Sequence, residues 1–319
     1  MSTTQAIVTA CDKRFLWGAC LLIASLRKNN INIPITVVIR GFTNTDKDML
    51  NQFDNILCIE SDLRTSFAQT DKPQALLSAS GAEYITWLDA DCIVNGDVSE
   101  LLIPIEPKSI MIRFRDEIEN KLRFNSGKES SAIPEKVQEV WKSDIANSAS
   151  RCRIHTTCVT NAFTIHKEHF PLIREWESMI MAVAQKYGSN FPQAYCHSSG
   201  SGLSDELILN SLFAFKENAP PVSSYRLNVD RQRCLLHFGL NPKPWNGWTW
   251  STLRYFDLVI SLIEWLKEQG YGTPHIPWHL RPGTKLPNLF LAGIRSLGQK
   301  SARTLPLDLR KKLKRHLRN

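Results

Sequence analysis

A short apolar stretch that ends in two aspartates constrains this chain more than any other part of the sequence. Residues 84–88, YITWL, are β-branched, aromatic or aliphatic, which is typical of a strand buried on both faces. The strand is followed by Asp89, Ala90 and Asp91, so two carboxylates lie one residue apart. Such carboxylates repel each other and resist burial unless a divalent cation lies between them. Because ligands of open α/β sheets bind at the carboxyl ends of strands, the sequence predicts a site for Mg²⁺ or Mn²⁺ and phosphates here.

The Asp-x-Asp triplet alone does not decide between a metal site and a turn, because aspartate is also a common turn former. Residues 236–245, LHFGLNPKPW, supply candidates for the remaining ligands. His237 suits Mn²⁺ better than Mg²⁺ as a third ligand, and Lys243 can meet a diphosphate as a point charge. Gly239 lets the backbone approach phosphates closely. A core histidine beside a surface loop is the alternative interpretation of the same residues.

Strands and helices alternate before the aspartate pair, which predicts βαβ units and a parallel sheet. In this part the pattern predicts strands at residues 5–10, 35–39 and 56–59 and helices at residues 16–28 and 70–80. Further along, it predicts strands at 110–114, 157–166 and 235–238 and helices at 170–187, 204–216 and 251–269. With 319 residues, 43% of them hydrophobic, the chain has ample length and composition for a full core.

The basic residues concentrate at the C-terminal end. From Arg295 onward there are nine Lys or Arg residues and one acid, so the rest of the chain, with 30 of each, is neutral. Residues 271–287 are rich in Pro, Gly and His and are predicted to form a connector. In residues 305–319 a leucine recurs at every fourth position between Lys and Arg, which predicts a helix on an anionic membrane surface. A solvated helix packed on the body, or a disordered tail, is the alternative.

Composition also bears on compartment and partners. The eight cysteines contain no C-x-x-C pair and suit a reducing cytosol. The N-terminal sequence lacks a signal-peptide pattern, and no apolar run has the length of a membrane span. Nucleic acid is not a predicted partner, because no aromatic residues interleave the basic ones. We expect a cytoplasmic protein, peripheral at the inner face of the membrane.

Together these segments resemble the family 8 glycosyltransferases, retaining enzymes that include glycogenin and the bacterial lipooligosaccharide galactosyltransferases. The resemblance spans residues 6–250 and implies an α/β fold of GT-A type, the Rossmann-like nucleotide-diphospho-sugar transferase fold. Asp89-Ala90-Asp91 corresponds to the D-x-D motif of the family. The motif H-x-x-G-x-x-K-P-W is present with His237 and Lys243 at the family spacing, but one residue fewer precedes Gly239. The predicted organisation is a catalytic domain of residues 1–272 and a connector with a basic helical tail, residues 273–319.

By this resemblance, Asp89, Asp91 and His237 would bind Mn²⁺ or Mg²⁺, and Lys243 would hold the diphosphate of a UDP-sugar. The other residues implied at the donor site are Ala10, Asp12 and Phe15 near the uracil, together with Lys72, Ala90, Asn161 and Gly239. The implied acceptor is a saccharide or a glycolipid.

Two acidic residues at the start of a predicted helix complete the implied catalytic centre. Asp205 would bind hydroxyl groups of the donor sugar, and Glu206 stands where the family has a glutamine near the anomeric carbon. A carboxylate at this position can stabilise an oxocarbenium ion or form a covalent glycosyl intermediate. The alternative is that Glu206 is an acid of the first helical turn, stabilised by the helix dipole.

The predicted function is therefore retaining hexosyl transfer from a UDP-sugar. One alternative is a non-catalytic sugar-nucleotide-binding protein, which the intact Asp89, Asp91, His237 and Lys243 disfavour. A metal-dependent nucleotidyltransferase on the same scaffold normally has a Gly-rich phosphate loop near its N-terminus, and this chain has none there. An aspartyl phosphatase would place the D-x-D motif early in the chain, which does not fit this sequence.

Overall fold

The structure is a computed structural model, and it describes residues 4–62, 68–104, 106–124, 133–145, 151–187, 204–225, 234–272 and 275–304. The strands are β1 (Gln5–Asp12), β2 (Ile35–Arg40), β3 (Ile56–Glu60), β4 (Tyr84–Leu88), β5 (Cys92–Val94), β6 (Ile110–Phe114), β7 (Cys158–His166), β8 (Val222–Ser223) and β9 (Leu235–His237). The helices are α1 (Leu16–Lys28), α2 (Asn44–Asn51), α3 (Lys72–Ser78), α4 (Ser99–Leu102), α5 (Glu117–Phe124), α6 (Glu135–Ile145), α7 (Phe170–Tyr187), α8 (Ser204–Phe215), α9 (Phe256–Glu268) and α10 (Lys285–Thr304).

A mixed sheet forms the centre of the described structure, with strand order β3-β2-β1-β4-β7-β6-β8. The four strands from β3 to β4 are parallel, as the alternating pattern predicts, and β7 runs antiparallel to both of its neighbours. Since β4 lies in the middle of this sheet, all five of its residues are buried. The apolar stretch of residues 84–88 is therefore the buried strand that the sequence predicts.

Helices cover both faces of the sheet and create two hydrophobic cores. On one face, α1 packs with α9 and with the inward side chains of β1 and β2. On the other face, α3, α7 and α8 pack over Trp87 of β4 and Phe163 of β7. Helix α1 is buried on nearly its whole circumference, which explains why its sequence is apolar all round.

A separate two-stranded sheet connects the aspartate pair to the distant histidine segment. Strand β5 begins directly after Asp91 and pairs antiparallel with β9. Helix α1 supports β5, because the Ser25 hydroxyl accepts a hydrogen bond from the Val94 backbone N–H at 2.9 Å, and the Asn29 side chain donates to the Val94 carbonyl at 3.2 Å. The small sheet is thus fixed to the core.

Several boundaries differ from the sequence predictions. The helix predicted at 251–269 begins as a 3-10 turn at Leu253, and α2 was not predicted, although a Thr43–Asp46 capping box marks its start. The predicted connector of residues 271–287 is wrong at its end, because α10 begins at Lys285. The tail of residues 305–319 lies outside the described residues, and the division at residue 272 stays a prediction. Within the described part of the chain, no helix is long and apolar enough to cross a membrane.

We predict that Gly18→Ala destabilises the fold. In a helix this change normally stabilises by about 1 kcal/mol. Here the added Cβ would lie 2.5 Å from the Ala90 carbonyl oxygen and 2.5 Å from the Trp245 indole, so we expect a net loss of about 1–3 kcal/mol in the free energy of unfolding. Urea denaturation measures the change. Gly81→Ala is the control, because a Cβ there meets no atom within 4 Å. Equal stability of the two variants would contradict the tight contact at Gly18.

Candidate functional site

The register of the small sheet brings the predicted metal ligands together. Cys92 lies directly opposite His237, and the Phe238 backbone N–H donates to the Asp91 carbonyl at 2.9 Å. As a result, the His237 Nε2 atom lies 3.2 Å from Asp91 Oδ1 and 3.6 Å from Asp89 Oδ2. One ligand atom from each of the three residues lies within 4.8 Å of the others.

Each aspartate uses one carboxylate oxygen for the protein and turns the other toward His237. The Oδ1 atom of Asp89 accepts a hydrogen bond from the Trp87 indole at 2.8 Å and pairs with the Lys72 ammonium at 3.1 Å. The Oδ2 atom of Asp91 pairs with Lys243 at 2.6 Å. The lysines and the indole thereby orient the two carboxylates, and the facing oxygens form a convergent set of hard ligands.

Lys72 joins the aspartate pair to the start of α8. Its ammonium is buried and also pairs with Asp205 Oδ2 at 3.0 Å, while donating to the carbonyl and the hydroxyl of Thr160 at 3.1 and 3.2 Å. Burial lowers the pKa of Lys72, but Asp205 and Asp89 outweigh this effect and hold its pKa well above the ordinary value. The other Asp205 oxygen, Oδ1, is buried and has no hydrogen-bond partner within the described part of the chain. Such an acceptor is costly unless a ligand satisfies it.

Opposing effects also set the protonation of the ligand set. Burial raises the pKa of Asp91, but the contacts with His237 and Lys243 lower it to about 2. Desolvation lowers the pKa of His237, whereas Asp91 and Asp89 raise it above its ordinary value. The His237 side chain keeps 33% of its surface exposed, so the ligand set is accessible from solvent.

The K-P-W segment lies against the predicted uracil region. The Lys243 ammonium donates to the Phe238 carbonyl at 2.6 Å and stands 5.5 Å from the centre of the Phe15 ring. The Trp245 indole packs edge-on against Phe15 and donates to the Arg14 carbonyl at 2.7 Å. A Cβ on Gly239 would lie 3.1 Å from the His237 ring, which explains why a glycine fits there.

The other predicted donor-site residues differ in their contacts. The Asp12 carboxylate accepts from the Arg14 backbone at 2.9 Å and from its guanidinium at 2.6 Å, whereas Ala10, on the same strand, is half-buried. Asn161 accepts from the Asp89 backbone N–H at 2.8 Å through its carbonyl, and its side chain faces the Cys92 sulfur at 4.0 Å. Ala90 is buried against α1 through Gly18.

Glu206 is buried in a cluster that the sequence does not reveal. Its Oε1 atom pairs with Arg115 at 2.9 Å and with Arg123 at 2.7 Å, and its Oε2 atom accepts from the Thr160 backbone N–H at 3.3 Å. Arg115 also donates to the Thr157 hydroxyl and to the Cys158 carbonyl. The carboxylate therefore ties α8 to α5, β7 and the chain after β6. Arg115 and Arg123 lie in a part of the sequence with weak periodicity, which gave no signal for this contact.

The mixed sheet with helices on both faces has the GT-A architecture, and comparisons with known proteins agree with this fold. A family model described as "Mannosyltransferase putative" matches residues 4–150. The apo structure of the WbbM bifunctional glycosyltransferase aligns with a TM-score of 0.56 and 15% identity, over 88% of this chain and 51% of WbbM. The chain thus spans about half the length of WbbM. At this identity the similarity shows the fold, and it confirms the predicted GT-A architecture.

Other solved structures align more weakly. The galactosyltransferase LgtC, in complex with donor and acceptor sugar analogs, aligns with a TM-score of 0.46 and 14% identity, over 75% of this chain and 89% of LgtC. The glycosyltransferase GlyE of Streptococcus pneumoniae TIGR4 aligns with a TM-score of 0.48 and 15% identity, over 86% of this chain and 66% of GlyE. No curated protein matches the sequence. The family model agrees with the predicted resemblance over residues 4–150, and the alignment with WbbM agrees with the predicted fold over 88% of the chain.

We predict that Glu206→Gln destabilises the protein by about 3–5 kcal/mol, because it leaves two buried guanidinium groups facing a neutral amide. Chemical denaturation measures the loss, and adding Arg123→Gln to Glu206→Gln should restore part of it. The matched control is Glu117→Gln, which breaks the exposed Glu117–Lys121 pair and should leave the unfolding midpoint unchanged. A Glu206→Gln variant as stable as the parent would contradict a structural role for this carboxylate.

Proposed function

We propose that this chain is a retaining glycosyltransferase that moves a hexose from a UDP-sugar to a saccharide or glycolipid acceptor. The observation that carries the proposal is the convergence of Asp89 Oδ2, Asp91 Oδ1 and His237 Nε2 at the end of the central strand. GT-A architecture supports it, because this edge of the sheet is where such folds bind ligands.

The ligand set fits Mn²⁺ or Mg²⁺. Two carboxylate oxygens form a hard ligand set, and the imidazole nitrogen favours Mn²⁺. Without a cation, the cluster of Asp89, Asp91 and Asp205 has one carboxylate more than Lys72 and Lys243 can neutralise. When bound, the cation supplies Lewis-acid stabilisation of the charge that develops on a leaving diphosphate.

Around that cation, the side chains of this protein would bind and orient the donor. Lys243 would exchange part of its contact with Asp91 for a diphosphate oxygen, because both acceptors are anionic. Phe15 would stack on the base, and Asp205 would accept a hydrogen bond from a sugar hydroxyl. The buried Asp205 Oδ1 atom, which lacks a partner in the described residues, supports this last role. The acceptor hydroxyl can release its proton to the departing phosphate oxygen, so no separate base is required.

For Glu206 we favour the role of a buried counter-ion over that of a nucleophile. Its Oε1 atom accepts from two arginines and its Oε2 atom accepts from Thr160, so the protein holds both carboxylate oxygens. Charge-assisted hydrogen bonds of this kind stabilise the carboxylate and lower its nucleophilicity. Attack of the acceptor on the same face as the departing diphosphate is then the proposed route to retention.

A different donor sugar and two other functions are the alternatives to this proposal, and each predicts a different product. The description of the matching family model suggests a mannosyl donor, and a panel that contains both UDP-hexoses and GDP-mannose distinguishes this donor from UDP-hexoses. A non-catalytic sugar-nucleotide-binding protein would bind the donor without releasing UDP. A nucleotidyltransferase would transfer the nucleotidyl group of a nucleoside triphosphate to a sugar phosphate and release pyrophosphate.

We also propose that the protein is cytoplasmic and associates with the inner face of the membrane through residues 305–319. The leucine spacing and dense Lys and Arg residues of this segment support the proposal. Such an attachment would suit a glycolipid acceptor, because the active site and the acceptor would share one surface.

The proposed function predicts Mn²⁺-dependent release of nucleoside diphosphate from one donor in a panel of UDP-hexoses and GDP-mannose. Asp91→Asn and His237→Ala should each lower the rate by about 100-fold or more, because they remove ligands of the charge-stabilising cation. Luminescent detection of UDP or GDP, with and without EDTA, measures the rate.

Asp257→Asn is the control for this experiment, because Asp257 forms an exposed pair with Lys285 outside the site. Release that persists in EDTA, or that survives both ligand substitutions, would refute the metal assignment. Donor binding without release would favour the non-catalytic alternative.

A further inference from the structure

The last described helix, α10, carries an apolar face directed away from the protein. Leu286, Phe290 and Leu297 are 75%, 70% and 66% exposed, and Leu289 and Ile294 flank them. At 100° per residue these side chains share one side of the helix, opposite Asn288 and Ala292, which are 1% exposed. Helix α10 therefore presents an apolar side to solvent, opposite the side that packs on the protein.

Contacts of the inner side fix which face points outward. The Asn288 Oδ1 atom accepts a hydrogen bond from the His279 ring at 2.7 Å, and the Asn288 amide nitrogen donates to the Thr284 hydroxyl at 3.1 Å. The Arg295 guanidinium lies over Gly247, and Lys285 pairs with Asp257. These polar anchors hold the exposed leucines and phenylalanine on the solvent side.

Charge indicates what covers this face. Residues 285–304 contain no acidic residue, and from Lys285 to Asn319 there are ten Lys or Arg residues against one acid, Asp308. A second copy of the chain on the same face would bring two such segments together, and their like charges would repel. An anionic lipid surface instead offers acyl chains for the apolar side chains and negatively charged headgroups for the Lys and Arg residues.

We propose that the outer face of α10 lies in the interfacial layer of an anionic membrane, with Leu286, Phe290 and Leu297 inserted among the lipids. The inference deepens the membrane association proposed for residues 305–319, and it rests on that proposal because the basic residues of this tail supply most of the positive charge. Its distinct content is that the apolar anchor belongs to a helix docked on the folded domain. At 1.5 Å per residue α10 is about 30 Å long, which suits a helix lying in the plane of the membrane.

Docking through α10 would also orient the candidate active site. The Trp248 indole donates to the His279 carbonyl at 3.0 Å, and Gly247 contacts Arg295, so α10 rests on the chain that follows Lys243 and Trp245. The donor pocket would then lie at a fixed angle to the lipid surface. This geometry favours acceptors whose sugar emerges from the membrane.

The test uses the full chain and neutral substitutions, so that no negative charge is added. We expect the parent to co-sediment with phosphatidylglycerol–phosphatidylcholine vesicles and only weakly with phosphatidylcholine alone. The variant Leu286→Gln/Phe290→Gln/Leu297→Gln should bind the anionic vesicles at least about tenfold more weakly than the parent, because binding strength scales with buried apolar area. Ile118→Gln/Leu122→Gln, which changes two exposed apolar residues of α5, is the control and should bind as the parent does.

Each other outcome overturns the inference in a distinguishable way. Parent-like binding of the α10 variant would assign membrane association to residues 305–319 alone. A parent dimer in light scattering that the α10 substitutions dissociate, without vesicle binding, would assign the face to a second copy. Absence of vesicle binding by the parent would refute both membrane proposals. None of these results bears on donor hydrolysis, which reports separately on the proposed function, and unchanged thermal unfolding verifies that the variants fold.

Discussion

The pairing of β5 with β9 is the interaction on which the candidate site depends. Strand β5 has only three residues, yet it starts directly after Asp91 and places Cys92 opposite His237. The hydrogen bond from Phe238 to the Asp91 carbonyl closes this contact across almost 150 residues of sequence. A one-residue slip in register would turn the imidazole to the other face of the small sheet. The anchoring of β5 on Ser25 and Asn29 of α1 opposes such a slip.

Charge compensation organises the interior around this pairing. Asp89, Asp91 and Asp205 would destabilise one another in a low-dielectric site, but Lys72 and Lys243 each occupy an oxygen that does not face His237. The same lysines therefore orient the carboxylates while reducing their repulsion. Behind this layer, Arg115 and Arg123 hold Glu206, and Thr160 contacts both Glu206 and Lys72. Fold stability and site geometry thus rest on shared contacts.

Local pattern predicted the parts of the protein in which burial determines the sequence. The strand before Asp89, the apolar α1 and the helix at 170–187 follow from periodicity, and the D-x-D and K-P-W motifs located the candidate site. The arginine cluster around Glu206 could not be predicted, because Arg115, after β6, and Arg123, in α5, reach Glu206 in α8 only through tertiary contacts. Helix α10 was missed because Pro287 and two glycines resemble a connector, and its exposed leucines do not follow the one-sided pattern of a packed surface helix.

The close approach at Gly18 has a consequence for how a donor would be received. The first turn of α1 contacts both the Ala90 carbonyl and the Trp245 indole, so the turn of the candidate metal ligands and the loop that carries Lys243 pack on the same helix. Neither can shift alone without opening a gap or colliding with the helix. The candidate site is consequently preorganised, and under the proposed function little reorganisation would remain when the glycosidic bond breaks.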